Sequence, residues 1–177
     1  MADASGRRAM QALVSILGFL LLTLVSSMAL RAQPTTARAV LAPLAGSGVT
    51  GEVAVQRTTA GTRLLARVDG LAPGAYAFHL LDATTCDDLA QARTFDTQDR
   101  PHGGPHAPPD LRRPGDLGNL RIRHRDPVGR YDRIIADLPF DRTLGLALVV
   151  REGLDDFHTQ PLGGAGDAVA CGLIEPE

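Results

Sequence analysis

The sequence predicts an all-β domain, a Greek-key sandwich or barrel of about eight short strands with two long loops. Three observations carry that expectation. Apolar residues make up 44% of the 177-residue chain but aromatic ones only 4%, with no Trp, so any core is built from aliphatic side chains. Gly and Pro are plentiful, 19 and 12, as short strands joined by many turns require. From Ala39 onward the apolar residues come in short runs bounded by Gly, Pro, Asp and Thr. The length suits one domain plus an N-terminal appendage.

Residues 1–32 read as a signal peptide or membrane anchor, 33–38 as a Pro/Thr-rich linker and 39–177 as the domain. Ala39–Leu44, Val49–Arg57 and Arg63–Leu71 are expected strands, separated by Ala45-Gly46-Ser47-Gly48 and Thr59-Ala60-Gly61-Thr62, whose glycines supply turn conformations. Ala75–Asp82 follows the Leu71-Ala72-Pro73-Gly74 turn and, by the period of two, sets His79 and Leu81 on one face. Between Ala83 and Pro114 no periodicity survives. A loop of that length inside a compact domain needs something to hold it. Asn119–Arg125, Tyr131–Leu138 and Leu144–Arg151 return to strand character, Glu152–Asp167 forms a second long loop, and Ala168–Ile174 is the last strand.

Arg7-Arg8 precede the uncharged run Ala9 to Leu30, with small residues at Ser27, Ala29 and Ala32 where a peptidase could cut. The run also reaches the ~20 residues that span a bilayer, so membrane association through residues 9–30 stands beside a cleaved signal. Both readings place the domain outside the cytosol, in periplasm, envelope or extracellular space. In such an oxidising compartment the only two cysteines, Cys86 and Cys171, read as one disulfide, the alternative being two free buried thiols.

Every basic residue is Arg, and the chain has no Lys. From Ala39 onward 14 Arg face 19 acidic residues, a net charge of −5, and the Arg residues are scattered, so no nucleic-acid partner is expected. No serine lies in a nucleophile elbow, and Gly163-Gly164-Ala165-Gly166 lacks the Lys of a phosphate loop.

Phe78-His79-Leu80-Leu81, Cys86, His102-Gly103-Gly104-Pro105, Gly115-Asp116-Leu117-Gly118-Asn119 and Gly163-Gly164-Ala165-Gly166 through Ala170-Cys171-Gly172 stand in one characteristic order and spacing. In these motifs the chain resembles the copper-zinc superoxide dismutases, from about Ala39 to Ile174. The resemblance implies their Greek-key fold. It also implies where metal ligands would stand: His79, Leu81, Thr94 and Arg151 for copper, and Thr94, His102, Arg113 and Asp116 for zinc. One imidazole remains of the four copper ligands. Leu81 and Thr94 do not replace imidazoles, and Arg151 brings a guanidinium that does not deprotonate. The family's substrate-guiding Arg corresponds here to Ala168, which removes part of the electrostatic attraction for superoxide.

Asp155 matches a family carboxylate that links one copper-binding His to one zinc-binding His. It is therefore expected to bridge His79 and His102, pinning the loops to the strand face. His106 offers a new ligand that with His102 and Asp116 makes a His-His-Asp zinc site, Asp96 or water being the fourth ligand, so that the remnant metal set is His79, His102, His106 and Asp116; the alternative is a solvated His106. His124 and His158 read as surface groups. No catalytic residue is assigned. The expectation is a domain without copper, with zinc as the one ion the residues could take, and with a structural or binding role; a residual metal-binding superoxide dismutase is the rival. The physiological partner is left open. A homodimer is left open as well, since family members associate through different surfaces and nothing in one sequence selects among them.

Overall fold

In the computed structural model, Thr36–Pro43 is strand β1 because small apolar residues alternate with polar ones there: Ala37, Ala39 and Leu41 face inward and are buried, while Arg38 and Val40 face solvent. The structure describes residues 33–177 except Asp88 and Gln91. The export and anchor readings of residues 1–32, including membrane contact through 9–30, lie outside the described residues. Among the described residues no helix is long and apolar enough to cross a membrane. The linker expected over 33–38 ends sooner than its composition suggests. Thr36, Ala37 and Arg38 already pair with Gln56, Val55 and Ala54.

β2 (Thr50–Thr58) and β3 (Gly61–Asp69) continue as hairpins with the same alternation, and Val53, Val55, Leu64, Ala66 and Val68 are buried. β4 (Gly74–Leu81), β5 (Asp116–Ile122), β6 (Gly129–Ile135), β7 (Ala147–Arg151) and β8 (Ala168–Leu173) follow, with a two-residue β9 (Glu175–Pro176) returning to β1. The strands are hydrogen-bonded in the order β5-β4-β7-β8-β1-β2-β3-β6, and every named pairing is antiparallel. This is an all-β, nearly closed barrel of eight strands. β1 makes the turn from one half to the other, pairing with β2 through Leu41 and with β8 from Ala42.

The path leaves a seam between β5 and β6, which share no strand pairing among the described residues, the isolated bridge Arg123–Asp126 lying in the turn between them. A groove along this seam is lined by Arg121, Arg123, Arg130 and Arg133, with His106 at one end.

The interior is filled from all the strands, by residues such as Leu41, Val53, Leu64, Phe78, Leu120 and Leu148. Tyr131 packs edge-on against Phe78 at 5.2 Å between ring centroids and donates its hydroxyl to the Leu117 carbonyl. One part of the sheet departs from simple alternation. On β4 and β7 the residues from Ala77 to Leu81 and from Ala147 to Arg151 are buried on both faces. The outer face carries its own small cluster of Leu81, Leu89, Ala147, Val149 and Cys171, so the long loops act as a second layer over this part of the barrel.

Two covalent and ionic ties hold that layer. Cys86 and Cys171 form a disulfide, with a Cα–Cα distance of 5.9 Å, joining the first loop to β8. Asp137 takes Arg112 at 2.7 Å and Arg100 at 3.3 Å, fastening the same loop to the turn after β6, while Arg100 also pairs with Asp96 at 2.7 Å within the loop. The disulfide closes a sequence separation of 85 residues. In the chain-entropy account a closure of this length contributes about 4 kcal/mol. The double substitution Cys86→Ala, Cys171→Ala is expected to lower the unfolding free energy by about that amount, measured by urea titration, while the barrel's far-ultraviolet circular dichroism stays unchanged.

Candidate functional site

His79 is placed by β4, where its register neighbour on β7 is Val149 and on β5 Asp116. It points to the outer face and is wholly buried beneath the loops. His102 and Asp116 come from either end of the second part of the first loop, and Asp155 from the second loop. All four side chains are excluded from solvent.

The Asp155 carboxylate lies between the two imidazoles, as the resemblance leads one to expect. Nε2–H of His79 donates to Asp155 Oδ2 at 2.9 Å, and Nε2–H of His102 donates to Asp155 Oδ1 at 2.9 Å. The other nitrogen of His102, Nδ1, donates to Asp116 Oδ1 at 2.8 Å. The second Asp116 oxygen accepts the backbone N–H groups of Gly103 and Arg113, both at 2.9 Å. A chain of side chains thus runs from β4 through both loops to the start of β5.

The backbone on either side of Asp155 is fixed too. Asn119 on β5 accepts the Asp155 N–H at 2.9 Å and donates to its carbonyl at 3.0 Å, and the Phe157 N–H donates to Asp155 Oδ1 at 2.8 Å. Gly163 closes the space beside the carboxylate. A Cβ there would fall on Asp155 Oδ1 and lie 3.0 Å from His102 Nε2, and the glycine also adopts φ +69°, in the left-handed region. Asn119 and Gly163 were visible in the sequence only as parts of framework motifs. Their tie to Asp155 depends on how the loops fold back.

These contacts fix the charges. Burial opposes the His102 imidazolium, but hydrogen bonds to Asp116 and Asp155 overcome it and push its pKa up to about 9. Burial likewise opposes the Asp155 anion, and the hydrogen bonds from His102 and His79 hold its carboxyl well below the usual range. For His79 burial prevails over its bond to Asp155 and pushes the pKa down, leaving a neutral ring. His79 then donates from Nε2 and keeps a bare lone pair on Nδ1, which is buried without a partner.

The remaining positions that the resemblance equates with metal ligands serve other purposes. Leu81 is fully buried in the outer apolar cluster. Thr94 bridges to Leu81 through its backbone and accepts Nη1–H of Arg113 on its hydroxyl at 3.2 Å. Arg113 also donates from Nε to the Arg100 carbonyl at 2.7 Å. Arg151, 4% exposed, donates from Nη1 to the Gly166 carbonyl at 2.8 Å. Burial pushes its pKa down against the charge of Asp167.

His106 is not gathered into the site. It is exposed beside Arg133, whose Nη2 is 3.4 Å from His106 Nε2. Asp96, considered as a further ligand, is committed to Arg100. Of the expected set His79, His102, His106 and Asp116, the structure gathers His79, His102 and Asp116 around Asp155, and one ligand atom from each of His79, His102 and Asp155 lies within 4.8 Å of the others. Such a buried group could hold a metal ion such as zinc, but the same atoms are engaged in the hydrogen bonds just described. A copper ion is a poorer match: beside His79 Nδ1 the corresponding positions offer a hydrocarbon, an engaged hydroxyl and a guanidinium.

A barrel of this topology, with two loops clasped over one face by an aspartate between two histidines, is the architecture of the superoxide dismutase fold. The sequence profile of the copper/zinc superoxide dismutase (SODC) family matches residues 49–174, and the chain belongs to that family. It is 30% identical over 136 residues to superoxide dismutase [Cu-Zn] 1 of Aquifex aeolicus (strain VF5), covering 71% of this chain and 79% of that protein. Among solved structures it is similar to the clock protein EA4, with a TM-score of 0.68, 26% identity, and coverage of 81% of this chain and 96% of that one.

Two outcomes are expected from the clasp. Asp155→Asn sets an amide N–H against one imidazole N–H and removes the anion that stabilises His102; it should cost about 3–5 kcal/mol in urea unfolding and return the His102 pKa toward the ordinary 6.5. In the unaltered protein, the His102 contribution to stability is fully present below pH 6.5 and is lost as pH rises through about 9. Imidazole nuclear magnetic resonance titration alongside pH-dependent melting checks both; a ring that titrates near 6.5 contradicts the assignment.

Proposed function

We propose that this protein is an exported, non-catalytic member of the copper/zinc superoxide dismutase family, whose barrel and clasped loops serve a structural or binding role. The observation that carries this reading is the state of the positions that the resemblance equates with copper ligands. Leu81 is part of an apolar cluster, Thr94 is engaged with Arg113, and Arg151 is a buried cation. A redox ion needs several imidazoles to set its affinity and geometry, and it is repelled by a fixed positive charge.

The hydrogen bonds of Asp155 and Asp116 support the same view, since they hold the loops by side-chain contacts alone. The disulfide is consistent with a compartment outside the cytosol. Similarity to a dismutase from Aquifex aeolicus places superoxide chemistry in the family, and similarity to a clock protein adds a relative described by a different role.

The rival is a residual metalloprotein. The buried His79, His102 and Asp155 group favours it, because two imidazoles and a carboxylate are a recognised zinc donor set. Protein incubated with copper and zinc, then washed with chelator, is expected to retain no stoichiometric copper and to dismutate superoxide no faster than the free-metal background. Copper bound near one equivalent, with turnover that follows it, would overturn the proposal. Retained zinc without turnover would place an ion at the clasp and leave the non-catalytic reading standing.

A further inference from the structure

The groove along the β5–β6 seam, with a volume of about 500 Å³, collects more positive charge than its own carboxylates neutralise. Arg121 of β5, Arg123 just beyond it, and Arg130 and Arg133 of β6 all line it, together with Asp126 and Asp132. Asp132 is drawn away by Arg63 of β3, which donates to it from Nε and from Nη2, both at 2.8 Å. Asp126 stands 3.7 Å from Arg130. Arg133 faces a ring nitrogen of His106, at 3.4 Å, and no acid. Among the described residues Arg121, Arg123 and Arg133 therefore have no carboxylate within ion-pair distance, although acidic residues outnumber Arg from Ala39 onward.

Spacing and lining define what fits there. Arg121 and Arg123 are both exposed and stand two residues apart, so the strand period sets them on one face at an interval of about 7 Å. An extended peptide repeats its own side chains at the same interval. Acids at alternate positions of such a peptide meet both guanidinium groups, each a fork that matches a carboxylate. The rest of the lining is mainly apolar, with Leu117, Val128, Tyr131, Pro105 and Phe157. A polymer charged on every unit fits worse, because nucleic acid or polyphosphate would also set phosphates against Asp126 and Asp132. A peptide carries its acids only where the guanidinium groups stand.

We infer that this groove docks an extended acidic segment of a partner protein, with carboxylates at alternate positions on Arg121 and Arg123 and apolar side chains between them. The inference gives a partner to the binding role proposed above and rests on that reading. Its test uses metal-free protein and reads peptide binding alone, so a positive dismutase assay and a failed peptide titration are separate results.

The test is fluorescence anisotropy of a short labelled peptide with Asp at alternate positions and Val between, titrated with disulfide-intact protein. Saturable binding of one peptide per chain is expected, weakening as sodium chloride is raised. A peptide of the same composition with its acids in one block should bind more weakly. The double substitution Arg121→Gln, Arg123→Gln should raise Kd about tenfold and leave Tm unchanged, since both side chains are exposed. Arg142→Gln removes an equally exposed guanidinium outside the groove and should leave Kd unchanged. Absence of saturable binding overturns the inference, as does an equal effect of Arg142→Gln and the groove substitutions. Tighter binding of a single-stranded oligonucleotide or inorganic polyphosphate than of the alternating peptide also overturns it. So does self-association in sedimentation that the groove substitutions abolish, which would make a second copy the occupant.

Discussion

The carboxylate of Asp155, buried between two imidazoles, is the interaction on which the rest of this structure depends. It joins a residue of β4 to one from each long loop and, through His102, to Asp116 at the start of β5. It fixes the two long loops over β4 and β7 together with one disulfide, the outer apolar cluster, Arg–Asp pairs, and backbone bonds such as Phe95 N–H to the Leu80 carbonyl and Ala77 N–H to the Gly153 carbonyl. The charge arrangement makes the clasp self-consistent. One protonated ring shared by two carboxylates leaves a single net negative charge, and the neutral second ring donates to it without adding repulsion.

A metal site and a hydrogen-bonded clasp solve the same structural problem with different chemistry. Both give fixed partners to imidazoles that are packed away from water. In this chain Asp116 meets His102 directly, at 2.8 Å, and the apolar cluster around Leu81 fills part of the space on the outer face. Side-chain hydrogen bonds thus tie both loops to the strand face in this structure.

Much of this was legible in the sequence because it is local or because it belongs to quoted motifs. The period-two pattern gave the strands, and the placement of His79 and Leu81 on one face followed from it. The Asp155 bridge followed from the resemblance. The start of β1 was not legible, since Thr36-Ala37-Arg38 has neither bulky nor β-branched apolar residues and becomes a strand only through its pairing with β2. Which of the two readings of His106 applies, ligand or solvated residue, was open in the sequence for a similar reason. Its distance in sequence from His102 is short, but the turn through Gly103, Gly104 and Pro105 carries it to the surface beside Arg133, a path set by contacts with distant strands. The want of carboxylate partners at Arg121, Arg123 and Arg133 could be found only in three dimensions, because a lack of partners is a property of packing.

The seam between β5 and β6 has a consequence for how copies of this chain meet. Both strands end the hydrogen-bonded path, so each has backbone groups that no neighbouring strand takes up. Such borders ordinarily invite strand-by-strand polymerisation. Here they are bordered by Arg121, Arg123, Arg130 and Arg133, with Asp126 and Asp132 in the same groove. Two barrels approaching border to border would bring two surfaces with more guanidinium than carboxylate groups together, and the net repulsion disfavours fibril-like stacking even though the cylinder never fully closes.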